Sequence, residues 1–196
     1  MTLIAFLRHG PTEWNREKRL QGRHDLPLLE ESRAWLAGQR LPPPFAGAKA
    51  LVSPLRRARE TAVALGLEGA EPTPSLIEMD FGAFEGRRLS ELRAELGDGL
   101  RENEARGLDF RPPGGESPRE VRARLTRWLA EAARQDGPLL AVTHKGVMRC
   151  LLTLAYGWDM TGRQPVRLDW TALQVFRLDS AGRPEPYRIN LPLLPR

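Results

Sequence analysis

The residues best suited to chemistry stand near the start of the chain, where an arginine and a histidine are neighbours. The stretch Leu7-Arg8-His9-Gly10 ends an apolar run that begins at Leu3, so the pair is predicted to follow a buried strand. A neutral imidazole whose Nδ1–H is held by a backbone carbonyl keeps Nε2 free to attack phosphorus. Gly10 lets the chain turn and bring a carbonyl close. His9 is therefore a candidate nucleophile, although a lone histidine at a strand end is more often structural.

Two arginines are candidates for holding a phosphate beside such a nucleophile. Arg8 precedes the histidine directly, and its planar guanidinium can form two parallel hydrogen bonds to a phosphate. Arg57 lies early in a helix that is predicted to start at Ser53-Pro54, with serine as the cap and proline in the first turn. The neighbouring residues Arg56 and Arg59 are expected to face solvent.

A second histidine and a glutamate complete the candidate set. His144 follows the apolar strand 139–143 and precedes a helix that begins near Lys145-Gly146, where free amide N–H groups favour phosphate. Glu78 has apolar neighbours, and a carboxylic acid in such surroundings can protonate a leaving oxygen and then act as a base on water. Each residue alone also has an ordinary structural explanation, either a histidine in a turn or a solvated glutamate.

Neither a metal nor a nucleotide cofactor is expected. None of the three histidines is paired at i, i+4 or stands in a His-Glu-x-x-His pattern. Cys150 is the only cysteine, which excludes an internal disulfide and argues against a cysteine-based metal cluster. The chain contains no P-loop and no Gly-x-Gly-x-x-Gly motif. The cofactor prediction is therefore none.

Composition predicts a single globular domain over residues 1–196. The chain is 41% hydrophobic and 28% charged, and no apolar run approaches the roughly 18 residues that a membrane span needs. It shows no signal peptide, so the expected location is the cytoplasm. The net charge is +5, but basic and acidic residues alternate without a basic block or a basic aromatic patch. Neither nucleic acid nor a membrane is therefore an expected partner.

Strands and helices alternate along most of the chain. Strands are predicted at 2–7, 49–53, 72–77 and 139–143, and the tail forms two more at 170–178 and 183–189, joined by a turn at 179–182. Helices are predicted at 28–41, 53–66 and 147–156. Another helix is predicted to follow the capping box at Ser117-Pro118-Arg119-Glu120, and short helices over 89–106 are predicted to break at Gly97 and Gly99. This order predicts an α/β fold, a three-layer α/β/α sandwich with a mostly parallel mixed sheet. Because reactive groups in such folds gather at the carboxyl ends of strands, the candidate residues are expected to meet there.

The motifs resemble those of the histidine phosphatase superfamily, the phosphoglycerate mutase-like proteins, over nearly the full length. The matching stretches are Leu7-Arg8-His9-Gly10 with Thr12-Glu13-Trp14-Asn15, Gln21-Gly22 with Asp25 and Pro27-Leu28, Ser53-Pro54-Leu55-Arg56-Arg57-Ala58 with Thr61, Glu78 with Phe81-Gly82 and Glu85-Gly86, and Thr143-His144 with Gly146-Val147 and Arg149.

The resemblance implies a role for each candidate. His9 would become phosphorylated, and Glu78 would be the proton donor, in a two-step reaction that uses no metal. The phosphate pocket would consist of Arg8, Arg57 and His144, with Asn15 as an accessory contact and Gln21 and Gly22 lining it. The substrate would be a small phosphorylated metabolite.

The resemblance favours the phosphatase branch of the family. Its glycolytic mutases resemble one another in carrying Arg-His-Tyr-Gly after the acidic glutamate and a long insertion over the site. This chain instead has Met79-Asp80-Phe81-Gly82 and a compact segment up to Gly115, so its site is expected to admit water, which hydrolysis requires. A cofactor-dependent phosphoglycerate mutase is the alternative, and a catalytically idle binding or regulatory member is a second one.

Two positions depart from the usual pattern of the family. Pro11 stands where many members have Glu or Gln, and Lys145 stands where Gly is usual. Lys145 either adds a cation at the mouth of the site and favours more anionic substrates, or points to solvent. The apolar tail that ends in proline could form a homodimer contact.

Overall fold

Eight strands and six α-helices follow one another along residues 1–196, all of which the computed structural model describes. The strands are β1 Thr2–Arg8, β2 Gln39–Arg40, β3 Lys49–Val52, β4 Glu71–Pro72, β5 Leu139–Thr143, β6 Leu173–Leu178, β7 Pro184–Leu191 and β8 Leu194–Pro195. The helices are α1 Glu13–Arg16, α2 Glu30–Ala37, α3 Arg56–Ala64, α4 Leu89–Ala105, α5 Pro118–Ala132 and α6 Lys145–Tyr156. None of these helices combines the length and the apolar character needed to cross a membrane.

Six of the strands form one mixed sheet in the order β4-β3-β5-β1-β6-β7. The four strands from β4 to β1 are parallel to one another, whereas β6 and β7 are antiparallel to their neighbours. β2 and β8 form a separate two-stranded sheet. The predicted mixed, mostly parallel sheet is confirmed, and the predicted turn at 179–182 joins the antiparallel pair β6 and β7.

Alternate residues of the central strands pack against helices on opposite faces of the sheet. In β1, Ile4 and Phe6 belong to a core that includes α5 and α6, whereas Ala5 and Leu7 share a core with Leu36 of α2. Helix α3 packs on β3 and β5 through a further apolar cluster. Side chains alternate in direction along a strand, and in β1 both alternating sets are apolar. Helices therefore pack against β1 on both faces of the sheet. The helix, sheet and helix layers follow from this pattern.

A small apolar cluster is separate from the cores of the sheet but is connected to one of them through Phe81 and Phe110, which pack against both. It contains Phe84, Leu92 and Leu100 and is called the α4 cluster below. Helix α4 consists of two helical pieces joined at a kink at Gly97, the one residue within it that leaves helical geometry, with φ 52° and ψ −124°. Gly99 stays within the helix, so the prediction of a break is confirmed at one glycine and wrong at the other.

The helix predicted over 28–41 is shorter than expected. Leu29 has extended backbone geometry and occupies the N-cap position, and Gly38 ends the helix. The chain then leaves the helix because residues 39–40 pair with β8. This pairing joins segments far apart in the sequence, which local periodicity cannot reveal.

The strand predicted over 72–77 is mostly wrong. Pairing with β3 involves only Glu71 and Pro72, and Pro74 opens a 3-10 turn that ends at Leu76. Proline has no N–H to give to a sheet and disfavours continued pairing. Glu78 therefore follows a turn and not a strand end.

The predicted start of the helix at Ser53-Pro54 is also wrong, by two residues. Helix α3 begins at Arg56, with Leu55 at the N-cap position and no side-chain cap. The capping box predicted at Ser117 is confirmed, since the Ser117 Oγ accepts from the Glu120 N–H at 3.4 Å and the Glu120 Oε2 accepts from the Ser117 N–H at 2.8 Å.

Candidate active site

Three strand ends meet at one edge of the sheet, as the sequence predicts. The backbone N–H of His9 donates to the carbonyl of Thr143 at 2.9 Å, and that of Ser53 donates to the carbonyl of Val142, also at 2.9 Å. These bonds continue the pairing of β1 and β3 with β5 past the last paired residues. The ring centroids of His9 and His144 consequently lie 5.1 Å apart.

The hydrogen bonds of His9 keep its Nε2 atom free. Its Nδ1 lies 2.7 Å from the carbonyl oxygen of Gly10, and since a carbonyl can only accept, Nδ1 carries the hydrogen. Gly10 is held in turn because its N–H donates to the Thr61 Oγ1 at 2.9 Å. Burial, followed by the charges of Arg8 and Arg57, holds the pKa of His9 well below 6.5. At neutral pH His9 is therefore an uncharged imidazole with an electron pair on Nε2.

His144 has the opposite arrangement of hydrogen and lone pair. Its Nε2 lies 2.7 Å from the Ser53 Oγ, and its buried Nδ1 has no partner. The Ser53 Oγ accepts the N–H of Leu55 at 3.4 Å, and a hydroxyl that accepts one hydrogen bond can still donate its own hydrogen to the Nε2 of His144. Burial, followed by the charge of Arg57, holds the pKa of His144 well below 6.5, so the ring is neutral. Its hydrogen is then on Nδ1, available to a ligand.

Arg8 and Arg57 bring two positive charges to these rings. Arg57 is fully buried; its Nη1 donates to the carbonyl of His24 at 2.8 Å and its Nη2 to the carbonyl of Gly22 at 2.6 Å. The Nε atoms of both arginines are buried without a hydrogen-bond partner. Burial lowers the pKa of both guanidinium groups, and the charge of Glu78 opposes this effect. A guanidinium remains charged in a protein, so the two positive charges persist in the site and favour the binding of an anion.

Glu78 is buried and is positioned by two backbone amides. Its Oε1 accepts from the N–H of Met79 at 2.9 Å, and its Oε2 accepts from the N–H of Gly146 at 3.1 Å. A Cβ on Gly146 would lie 2.4 Å from Oε1, so only glycine allows this approach. Each carboxyl oxygen has two lone pairs and keeps one of them for a proton or a ligand.

The loop that begins at Gln21 is fastened by a carboxylate from another loop. Glu85 accepts from the N–H of Arg23 at 2.7 Å and from the N–H of His24 at 3.1 Å. Gly22 has a φ of +52°, and a Cβ there would lie 1.8 Å from the Glu85 Oε1, so this contact requires glycine. Gly22 reaches the site through its carbonyl, and the Oε1 of Gln21 is buried without a partner.

Asn15 has a structural role in the short helix α1. Its Oδ1 accepts from the N–H of Thr12 at 3.1 Å, and the Thr12 Oγ1 accepts from the N–H of Asn15 at 3.4 Å. This reciprocal cap uses the oxygen of the side chain. The Nδ2 of Asn15 is the atom that remains for a ligand.

Sequence reasoning misses the hydroxyl groups that support the site. It assigns Ser53 to a helix cap, whereas the structure brings this side chain to His144. The Thr61 Oγ1 accepts from Gly10 and donates to the carbonyl of Arg57 at 2.7 Å, which ties α3 to the turn after β1. Thr61 lies one helical turn after Arg57 and belongs to the motif that resembles the family, and these two signals could have indicated its position.

The remaining reactive side chains do not add a second chemistry. No three histidine, cysteine, aspartate or glutamate side chains lie close enough together to hold a metal ion. Cys150 is buried, and burial raises the pKa of its thiol to about 12, so it is not a nucleophile at neutral pH. His9 is therefore the strongest nucleophile that the site contains.

The arrangement is suited to binding and attacking a phosphate group. Two guanidinium groups and one imidazole N–H can surround three phosphoryl oxygens, while an imidazole lone pair faces the phosphorus. A carboxyl group in the same site can exchange a proton with the leaving or entering oxygen.

Comparisons with known proteins agree with this chemistry. The sequence profile of the histidine phosphatase superfamily (branch 1) matches residues 4–190. Among curated relatives, the probable phosphoglycerate mutase GpmB of Salmonella paratyphi C (strain RKS4594) is 33% identical over 177 residues, which cover 86% of this chain and 81% of the relative.

Solved structures show the same fold. The crystal structure of TTHB049 from Thermus thermophilus is 32% identical, with a TM-score of 0.74 over 98% of this chain and 100% of the other. The structure named mycobacterial hydrolase 1 is 25% identical, with a TM-score of 0.77 over 97% and 99% of the two chains. The chain therefore belongs to the histidine phosphatase superfamily, whose members are phosphatases or mutases.

Proposed function

We propose that this protein is a metal-independent phosphomonoesterase that hydrolyses a small phosphorylated metabolite through a phosphohistidine on His9. The observation that carries the proposal is the neutral, buried imidazole of His9, whose Nδ1–H is held by the Gly10 carbonyl at 2.7 Å. Its Nε2 is left with an electron pair in the field of Arg8 and Arg57. Such an imidazole is an effective nucleophile toward a phosphate that the two cations hold in place.

In the first step, the Nε2 of His9 attacks phosphorus and the bond from phosphorus to the ester oxygen breaks. Glu78 gives a proton to that oxygen as the bond breaks, so the ester oxygen leaves as a hydroxyl group. Arg8, Arg57 and the Nδ1–H of His144 bind the three equatorial oxygens and stabilise their charge in the transition state.

In the second step, water attacks the phosphohistidine. The Glu78 carboxylate takes a proton from this water as the new bond to phosphorus forms. The bond between phosphorus and nitrogen breaks, its electron pair returns to the Nε2 of His9, and inorganic phosphate leaves. Glu78 is again protonated, so one water is consumed and the residues return to their starting state.

Further contacts with the substrate are assigned to three residues on the loops. The Nδ2 of Asn15 would contact the phosphate as an accessory donor, while Gln21 and Gly22 would line the pocket. In this proposal the single domain over residues 1–196 carries the whole activity. The cytoplasm is the proposed location, in keeping with an unpaired, buried Cys150.

Hydrolysis is preferred over phosphoryl transfer within the substrate for two reasons. The segment from Met79 to Gly115 contains one helix, α4, and short turns, and lacks a long insertion that could cover the site against water. The mycobacterial hydrolase 1 that resembles this chain also carries the name of a hydrolase.

A cofactor-dependent mutase is the second candidate, because the curated relative from Salmonella is named a probable phosphoglycerate mutase. In that case the phosphoryl group on His9 would return to another hydroxyl of the substrate, and 2,3-bisphosphoglycerate would be needed as primer. A catalytically idle member is disfavoured because His9, Glu78 and His144 are all present with partners suited to catalysis.

The test is a screen for phosphate release over metabolite phosphates in the presence of EDTA, with His9→Ala beside the parent. We expect release by the parent and a loss of at least about a thousandfold in His9→Ala, because a nucleophile cannot be replaced by its neighbours. Glu185→Ala changes an exposed side chain on β7 and is the control, expected to match the parent. Equal release by the parent and His9→Ala would contradict the mechanism. Isomerisation of 3-phosphoglycerate that depends on the primer would replace hydrolysis by the mutase reaction.

A further inference from the structure

A second group of cations lies beside the phosphate pocket, at the start of α6. Lys145 is the first residue of this helix and Arg149 follows about one turn later, so the two side chains share one side of it. The Lys145 Nζ lies 5.4 Å from the ring centre of Trp170, and the guanidinium carbon of Arg8 lies 5.6 Å from the same centre. Trp170 thus brings Lys145 close to a cation of the phosphate pocket.

The cations of this group have no carboxylate partners. Elsewhere arginines pair closely, as Arg33 does with Glu60 at 2.8 Å. Neither Lys145 nor Arg149 is within ion-pair distance of any carboxylate, and the buried Nε of Arg149 has no hydrogen-bond partner. Like charges at i and i+4 destabilise a helix, so this pair opposes folding unless an anion is bound.

The surroundings of Lys145 show the same surplus of positive charge. Partial loss of hydration, followed by the charges of Arg8 and Arg149, lowers the pKa of its amine, and only Glu78 acts in the opposite direction. Arg8 and Arg57 already match the two negative charges of a phosphate monoester. The charges of Lys145 and Arg149 are therefore in excess of what one phosphate needs.

We propose that Lys145, which lies over the ring of Trp170, and Arg149, which lies over the ring of Trp158, make a second anion site, and that the preferred substrates are phosphomonoesters carrying a further carboxylate or phosphate group. This inference rests on the proposed function for its choice of substrate class. The second group would bind Lys145 while the scissile phosphate occupies the pocket of Arg8 and Arg57. A ligand that bridges both sites would relieve the repulsion among their cations.

Three phosphonates of similar length test the second site without turnover. Propylphosphonate has a neutral end, 3-phosphonopropionate ends in a carboxylate, and ethylene-1,2-diphosphonate ends in a second phosphonate. Their dissociation constants are measured by calorimetry in the parent, Lys145→Met, Lys145→Arg and Lys49→Met. Lys49 pairs with Glu71 at 3.0 Å on β3, so its variant loses the same formal charge in another part of the protein.

We expect the parent to bind at least one of the two phosphonates with a charged end roughly tenfold more tightly than propylphosphonate, the range of one charge-assisted hydrogen bond. Lys145→Met should reduce this preference to about twofold or less, while Lys145→Arg and Lys49→Met should retain it. The better of the two anions identifies the group that the site takes.

Equal binding of all three phosphonates by the parent would overturn the proposal, and so would a preference that survives in Lys145→Met. Because no bond is broken in these titrations, a failure of the proposed hydrolysis would leave their result intact. Conversely, phosphate release from simple monoesters with no preference among the phosphonates would support the proposed function and reject the second site.

Discussion

At the scale of single residues, the two histidines are set in opposite tautomers by their partners. The Gly10 carbonyl keeps a hydrogen on the Nδ1 of His9, so its Nε2 has the lone pair. The Ser53 hydroxyl can donate its hydrogen to the Nε2 of His144, and in that arrangement the Nδ1 of the ring is the donor. One imidazole is thereby prepared to attack an electrophile and the other to bind an anion, although neither ring is charged.

This arrangement predicts a measurable role for Ser53 in positioning His144. Ser53→Ala should lower the free energy of unfolding by about 1–3 kcal/mol, because a buried ring nitrogen loses its partner. It should also lower kcat about tenfold, since the hydrogen of His144 is no longer fixed on Nδ1. Urea unfolding and steady-state kinetics measure the two effects. Ser180→Ala, at an exposed turn, is the control, and a Ser53→Ala protein that matches it in both quantities would contradict this role.

Residue types near strand ends were largely predictable, but their partners were not. Arg57 is buried while Arg56 and Arg59 are exposed, as the helical periodicity predicted. The contact of Ser53 with His144 could not be predicted, because the two residues are 91 positions apart and either hydroxyl or backbone groups could have been its partner.

At the scale of elements, continuous apolar strands were predicted well and short, proline-rich ones were not. β1 and β5 are apolar at every position that faces a core, and their predicted positions agree with the structure. β4 is two residues long and exposed, so no hydrophobic pattern marks it. The position of Glu78 depends on the turn after β4 and on the amide of Gly146, and neither could be derived from local sequence.

The geometry of α4 gives a prediction with a matched control in the same helix. Gly97 has φ 52° and ψ −124°, which a side chain disfavours, whereas Gly99 has helical geometry and open space around its Cβ position. Gly97→Ala should lower the free energy of unfolding by about 1–3 kcal/mol through backbone strain. Gly99→Ala should raise it by about 0.5–1 kcal/mol, because alanine favours a helix. Urea unfolding of both variants measures this, and equal effects would show that Gly97 can become helical without cost.

At the scale of the whole molecule, the buried neutral histidines link stability to pH. The pKa values of His9 and His144 in the folded chain lie well below 6.5. In the pH range between these lowered pKa values and 6.5, the unfolded chain therefore binds more protons than the folded chain. The stabilisation is therefore complete above about pH 7 and is lost as the pH falls below 6.5. A histidine that stays unprotonated in the folded chain down to pH 5.5 lowers the free energy of unfolding by at most about 1.4 kcal/mol between pH 7.5 and 5.5.

Urea unfolding at these two pH values tests the linkage. Removal of His144 in His144→Gln should reduce the loss of unfolding free energy between the two pH values, whereas Ser180→Ala, at an exposed position that does not titrate in this range, should leave that loss unchanged. An unchanged pH dependence in His144→Gln would mean that this ring takes up a proton in the folded state as easily as in the unfolded state.

The family and the sheet architecture could be predicted from the whole sequence, but the substrate could not. Short motifs at strand ends are local, and their order along the chain was enough to indicate the superfamily. In our proposal, selectivity depends on how Trp170 and α6 are arranged beside the phosphate pocket, and this arrangement is set by packing between distant segments. The unpaired state of Lys145 is likewise a property of the folded molecule, because nearby carboxylates in the sequence could have paired with it.

The separation of the α4 cluster from the cores of the sheet has a consequence for the evolution of the protein. Phe84, Leu92 and Leu100 pack together without sharing their apolar contacts with β1 or β5. Mutations in this segment can therefore accumulate with little penalty to the scaffold that carries the histidines. A gene library randomised over residues 89–105 should yield mostly folded proteins with altered substrate ranges, whereas the same mutational load in α5 should yield mostly insoluble ones.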